Sequence, residues 1–305
     1  MTARILVATD GRAGALGALR VARRLAEAGG PQVEVIAVYE PMDLYAGGSP
    51  SEVAALPTHY VPAAVEAVRK RVQTQLQGLG AQTAGWPLTV EAGRVGPTIA
   101  RTAAARGATL VLVGLRQPGG VERWLARETL LRLVHLSPAP VLAVPEETVE
   151  PPREAVVAMD FSEFSLRAAR EAAHLLAPGG LLHLAHVTWP TTGLEGWSES
   201  VEWVRTYRGG VQQRMQDLAA ELRVPGGVEV AVHLLEGDPA REILKLGGEV
   251  GADLIATGSH GAGFLGRLIL GSVSNTLVHK ARCAVLVAPP RNVAVELRVE
   301  RRTEA

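Results

Sequence analysis

The sequence predicts an α/β protein made of two tandem, doubly wound parallel sheets of five strands each. Three observations carry this. Short apolar runs with the look of buried parallel strands alternate with helical patterns along the chain. The pattern of the first half recurs in the second. At 305 residues the chain is long for one α/β unit and comfortable for two.

The repeat is legible element by element. Ile5-Leu-Val-Ala-Thr-Asp10 returns as Ala155-Val-Val-Ala-Met-Asp160, each followed by an amphipathic helix, roughly Ala13 to Ala28 and Glu163 to Leu176. Second strands follow from Val33 and from Leu181, and both stop at proline. Helices over Val61 to Leu79 and Val201 to Leu222 lead into short strands at Leu88 to Ala92 and Val228 to Leu234. Helix starts are expected at Gly96-Pro97 and Asp238-Pro239, where proline suits the first turn and Asp238 can cap it. Strand Ala108 to Gly114 matches Ala252 to Gly258, and Val141 to Pro145 matches Val285 to Pro289. The expected units are 1–147 and 153–290, joined by the charged, proline-bearing linker Glu146–Arg153. The tail 291–305 alternates Val293, Val295 and Leu297 with polar residues, as an added edge strand would. The stretch from Pro41 to Pro62 is long for a connection and reads as a lid or partner loop, with Tyr45 and Tyr60 as packing anchors beside it.

The densest signal runs from Gly258 to Ser274 and reads Gly258-x2-Gly261-x9-Gly271-Ser272-x-Ser274, with a strand before it and a helical pattern through Ala281 after it. Glycines permit a tight turn and close backbone approach, and a helix start offers free amides to an anion. Ser272 and Ser274 add hydroxyls on the first turn. Strand, glycine loop and helix in this order suit a phosphate.

On these residues, and on the downstream strand Ala284 to Pro289, the chain resembles the universal stress protein family, whose ATP-binding members carry this glycine and serine pattern. The resemblance implies strand order 3-2-1-4-5 in each half, a flavodoxin-like or Rossmann-like fold, and ATP, with or without Mg2+, as the cofactor. It implies that Ala158, Met159 and Asp160 neighbour the adenosine, that Val187 lends backbone groups to adenine, and that Thr257, Gly258, His260, Gly261, Gly271, Ser272, Val273 and Ser274 surround ribose and phosphates. Asp160 suits a ribose hydroxyl; its other reading is a carboxylate that satisfies loop amides or caps the next helix. His260 faces either phosphate or solvent, and Ser162 reads as the cap of its helix. Similar single-domain members pair through their last strands, so the two halves are expected to form an intramolecular pseudo-dimer, with a homodimer of the whole chain also open.

The first half departs from the pattern. Aligned without gaps, Gly261 becomes Gln117, Gly271 becomes Arg127 and Ser272 becomes Glu128, and only Gly114 survives. A bulky side chain denies close backbone approach, and Glu128 sets negative charge where phosphate would sit. The first site is expected to be degenerate, with Arg116, Arg123 and Arg127 read as a solvated charged face ahead of the alternative that they recruit phosphate in another way; Asp10-Gly-Arg-Ala-Gly14 still resembles the family's first loop, which leaves weak adenosine binding there open.

Composition narrows the function classes. With 31 basic and 31 acidic residues no global field recruits nucleic acid or an anionic membrane, so neither is an expected partner. No signal-peptide pattern or long apolar run is present and the single cysteine, Cys283, precedes an apolar strand, so a cytoplasmic location and a buried structural thiol are expected. Gly-Lys never occurs, and no Gly-x-Ser-x-Gly elbow or metal-ligand spacing is found. The reading is a nucleotide-dependent stress-response regulator; its alternatives are a slow ATP hydrolase or nucleotidyl transferase and, ranked lower, a flavodoxin-like electron carrier.

Overall fold

The computed structural model describes residues 3–41, 60–115, 121–188, 198–260 and 270–289. Expectations placed on residues 42–59 of the 41–62 loop, on Gln117 and the Arg116, Arg123 and Arg127 side chains, on Gly261 and on the tail therefore lie outside the described residues, whereas residues 60–62 belong to a helix and not to the loop. The chain divides into two compact units that part between Glu150 and Pro151.

In the first unit β1 (Arg4–Ala8) leads through a short turn of 3-10 helix into α1 (Leu16–Glu27) and β2 (Gln32–Tyr39). Then come α2 (Tyr60–Gly78), α3 (Ala81–Ala84), β3 (Leu88–Ala92), α4 (Val95–Arg106), β4 (Leu110–Leu115), α5 (Val121–Leu136) and β5 (Val141–Pro145). The second unit runs β6 (Glu154–Met159), α6 (Glu163–Leu175), β7 (Leu181–Thr188), α7 (Ser198–Glu221), β8 (Glu229–Glu236), α8 (Pro239–Glu249), β9 (Leu254–Gly258), α9 (Ser272–Lys280) and β10 (Ala284–Ala288).

All strands within a unit pair in parallel, in the order β3-β2-β1-β4-β5 and β8-β7-β6-β9-β10. Counted within its own unit, each is 3-2-1-4-5. The mainly apolar runs follow from helices covering both faces, which leave few positions for a polar side chain, His183 and Thr257 being buried exceptions. Every residue of β5, β9 and β10 is buried, whereas β3 and β8, each at one edge of its unit, are mostly half-buried along their length. Leu19, Ile36, Leu112, Leu133 and Leu142 fill the first core, and Leu182, Leu184, Met215, Ile243, Leu254 and Leu286 the second.

Local chemistry sets the helix starts. Ser162 caps α6 by accepting from the Ser165 amide at 3.2 Å, and Asp238 caps α8 by accepting from Arg241 N at 2.8 Å. α4 begins one residue before the expected glycine, at Val95, with Pro97 inside its first turn. The linker is held to α1: Arg20 donates to the Glu146 carbonyl at 3.1 Å, and Arg24 pairs with Glu150 at 2.5 Å. Burial pushes the Cys283 thiol up to about 11, as a structural cysteine beside an apolar strand requires.

Candidate functional site

In a parallel open sheet a ligand crevice opens beyond the carboxyl ends of the strands where the order reverses. In the second unit that point lies between β6 and β9, which pair as Val156↔Ile255 and Val157↔Ala256. A cavity of about 210 Å³ sits there. Ala158, Met159 and Asp160 line it from the end of β6, and Val187 from β7. Thr257, Gly258 and His260 line it from the end of β9, and Gly271, Ser272, Val273 and Ser274 from the start of α9. The fold thus brings together the described residues singled out from the sequence.

The start of α9 is the electropositive wall. Gly271 is its N-cap, in extended conformation, and no side chain caps the helix. The amides of Ser272, Val273 and Ser274 belong to its first turn, where an α-helix has no carbonyl partner of its own to offer. Gly271 itself is held by its amide donating to the Ser259 carbonyl at 2.9 Å. A Cβ at Gly271 would stand in ordinary contact with the Ser259 carbonyl oxygen, at 3.5 Å, and with His260 Cα and Ser274 Oγ, each at 3.7 Å, so anything much larger than a methyl group crowds the helix start.

Ser274 differs from the expectation of a phosphate-facing hydroxyl. Its hydroxyl is buried and donates to the Gly258 carbonyl at 2.6 Å, so its proton is committed within the protein and its amide is what remains for a ligand. Ser272, by contrast, is exposed at the helix start. Gly258 also has a reason other than a ligand: a Cβ there would lie 2.5 Å from Phe164 Cβ, so its absence lets α6 lie against β9. Gly114 answers to the same need in the first unit, where a Cβ would lie 2.1 Å from the Gly14 carbonyl oxygen. Its survival there reports packing.

Asp160 closes a tight loop after β6. Its Oδ1 accepts from the Ser162 amide at 3.0 Å and from the Ser162 hydroxyl at 2.5 Å, so one carboxylate oxygen satisfies the loop while the residue still lines the cavity. The next residue, Phe161, stands at φ +63°, in the left-handed region that a bulky side chain rarely adopts. Packing compensates: the Phe161 ring lies 4.8 Å from the His186 ring, and the Arg214 guanidinium sits 4.3 Å over its face. The equivalent position in the first unit is Gly11, at φ +77°. Both loops share one backbone shape.

At the β7 side of the cavity, β6 stops at Met159, whose ladder partner is His186, while β7 continues through Val187 and Thr188. Val187 therefore stands beyond the last β6 pairing. His260 Nδ1 lies 2.9 Å from Ser259 Oγ, and its ring is 5.8 Å from Phe164, so it forms a wall of the cavity. Ser165, Ala185, His186, Pro239 and Ile243 also line the cavity and were not singled out from sequence. They come from three helices and strands whose packing a linear reading does not supply; only Pro239, beside the capping Asp238, carried a signal.

Below the cavity floor lies a polar chain. His183 shares a sheet face with Ala185 and Val187, two and four residues on. Its Nε2 is 2.9 Å from Glu154 Oε2 and its Nδ1 is 2.9 Å from His233 Nε2. A carboxylate only accepts, so the consistent arrangement has His183 Nε2–H donating to Glu154 and His233 Nε2–H donating to His183 Nδ1. Burial, and secondarily the neighbouring His183, lower the pKa of His233.

The counterpart of α9 in the first unit is built differently. α5 starts at Val121 and runs unbroken to Leu136. Residues 128–130, which align with 272–274, therefore sit in the body of a helix, where each amide is directed at the carbonyl four residues back. Glu128 there pairs with Arg132 at 3.0 Å.

The model of the Universal stress protein family matches this chain twice, over residues 1–145 and 152–289. A universal stress protein of Mycobacterium tuberculosis is 28% identical over 240 residues, a match spanning 75% of this chain and 73% of that one. A universal stress protein of Methanocaldococcus jannaschii is 32% identical over 142 residues, spanning 44% of this chain and 81% of that one. Among solved structures, a universal stress protein from Archaeoglobus fulgidus covers 95% of this chain and 98% of its own at 21% identity, with a TM-score of 0.66, a likeness of fold.

Proposed function

The chain belongs to the universal stress protein family, with two tandem domains of that kind, and on that premise we propose that its second unit binds ATP and works as a nucleotide-dependent stress-response regulator. The observation that carries this reading is the uncapped start of α9 lining the same cavity as Asp160 and Val187. The donor set fits the ligand. The amides of Ser272, Val273 and Ser274 would receive phosphate oxygens, the Ser272 hydroxyl would add a donor, and the Asp160 carboxylate would accept from a ribose hydroxyl. Val187, beyond the end of β6, would offer backbone groups to the base.

The first unit is assigned no ATP. Its α5 begins too early to leave amides free at residues 128–130. Each charge-assisted bond to phosphate is worth on the order of 1.5 to 3 kcal/mol, so losing several weakens a site by orders of magnitude.

Calorimetric titration of the whole chain with ATP should saturate near one equivalent, and Gly271→Trp, which puts an indole at the helix start where phosphate would sit, should abolish binding. Replacing Gly261, Gly271 and Ser272 by Gln, Arg and Glu, the residues of the first half, should do the same. Unchanged affinity in a folded Gly271→Trp variant, or two equivalents of similar affinity, would overturn the assignment. Repeating the titration with and without Mg2+ measures what the cation adds, and assaying released ADP or AMP separates a regulator from a slow hydrolase or nucleotidyl transferase.

A further inference from the structure

The first unit keeps a crevice at its own switch point, and it is the larger of the two, about 340 Å³ against about 210 Å³ in the second. We propose that it binds an uncharged small molecule with an apolar body and one hydrogen-bond-donating end.

The size is that of a ligand site, at the lower end of the common range of about 300 to 1,000 Å³. Most of its wall is apolar, with Ile36, Val38, Ile99, Val113, Leu130 and Leu133 as the large side chains, while Thr9, Asp10, Arg12 and Thr129 supply the polar groups. Two of the apolar side chains replace polar residues of the second site. Val113 stands where the second unit has Thr257, and Leu130 where it has Ser274, whose hydroxyl bonds the strand end. With the amides of 128–130 spent inside α5, this stretch of helix offers a phosphate no backbone donors. A polyanion would lose its hydration against hydrocarbon.

The polar end is Asp10. It lines the cavity, and its Oδ1 accepts from the Arg12 amide at 2.9 Å while Oδ2 lies 3.6 Å from Arg12 Nε. A carboxylate accepts and does not donate, so the ligand end that meets it carries an O–H or N–H. The neighbouring guanidinium already balances the charge, so that end need not be a cation.

The rim is built before any ligand arrives. Thr9 donates to Gln75 Oε1 at 2.7 Å, Gln75 Nε2 donates to the Arg12 carbonyl at 2.6 Å, and Arg71 Nε donates to the Asp10 carbonyl at 2.7 Å. Three side-chain bonds from the loop to α2 hold Asp10 at the mouth. In the second unit the matching loop is held mainly by its own Asp160 and Ser162. A fixed polar rim over an apolar cavity is the arrangement that small-molecule sites use for orientation and affinity respectively.

The test uses the whole chain and N-phenyl-1-naphthylamine, an uncharged aromatic probe with one N–H. Fluorescence should rise saturably to one equivalent per chain, and ATP at concentrations that fill the second unit should not displace the probe. Val95→Trp and Thr129→Trp, which reach into the cavity from α4 and α5, should each weaken probe binding at least tenfold, and either suffices if the other does not fold. The N-methylated probe, which has no N–H, should bind severalfold more weakly. Absence of saturable binding, displacement by ATP, full affinity in a folded plugged variant or equal affinity of the N-methylated probe would each overturn the proposal. ATP binding is measured separately by calorimetry, so failure here and failure of the second-unit assignment are distinguishable.

Discussion

The hydroxyl of Ser274 donates to the carbonyl oxygen of Gly258 at 2.6 Å, tying the first turn of α9 to the last residue of β9. Thr257 Oγ1 reaches the same oxygen at 3.1 Å, so the strand end carries two hydroxyls. Ser274→Ala should therefore destabilise the chain by about 1 kcal/mol, the net worth of one buried hydrogen bond. Ser272→Ala, at an exposed position, should leave stability nearly unchanged and weaken ATP. Urea unfolding and calorimetry on both variants read the two effects apart; a Ser274→Ala protein of unchanged stability would refute this division of roles.

Gly258→Ala tests the contact between β9 and α6. The added Cβ would lie 2.5 Å from Phe164 Cβ and 2.9 Å from Phe164 carbonyl carbon, a clash with backbone that cannot rotate away. A loss of about 1 to 3 kcal/mol is expected, as for overpacking generally. Equal unfolding midpoints for the two proteins would show that α6 shifts freely.

His233 gives the stability a pH dependence of known sign. Its pKa in the fold is lowered by burial and then by His183, so the native state resists protonation that the unfolded chain accepts. The stability is intact above the ordinary histidine pKa of about 6.5 and falls as pH drops through the folded value. Acidification from about pH 7.5 to 5 should lower the urea midpoint of the natural chain more than that of His233→Gln. Parallel pH profiles for the two proteins would count against the Glu154, His183 and His233 chain as arranged.

Cys283 should be a poor nucleophile. With its thiol pushed up to about 11, the thiolate at pH 8 is about a hundredfold scarcer than for an ordinary cysteine. Alkylation of the native chain by iodoacetamide should be slower than that of the unfolded chain by a comparable factor, and similar rates in both states would contradict the burial.

The sequence carried the architecture because parallel strands buried on both faces read as apolar runs, and because the duplication shows each run twice. Ile5 to Asp10 against Ala155 to Asp160 is enough to align the halves, and the switch point then follows from the strand order. The wall from Gly271 to Ser274 was legible for the same reason, as small residues at a helix start. What was not legible depends on through-space packing. Ala185 and Ile243 have no distinguishing chemistry of their own, and His186 enters only because β7 lies beside β6. Gly258 and Gly114 were read as loop glycines, although α6 and the turn before α1 are what exclude a side chain there. The left-handed turn at Phe161 could not be foreseen, since aromatic residues give no sign of it; only the alignment with Gly11 points there.

The contrast between α5 and α9 has an evolutionary reading. Copies of one ancestral unit can come to differ in ligand through the position at which a single helix begins. Extending that helix backward takes first-turn amides into helical hydrogen bonds without removing a charged residue, and the crevice beside them can then take on hydrocarbon walls. Divergence of this kind needs only local helix propensity to change, so it can proceed while the sheet, the switch point and the neighbouring copy stay intact. In this chain the register of a helix start, at Val121 in one copy and Ser272 in the other, sets which backbone amides are left without a helical partner, a difference that a count of glycines does not report.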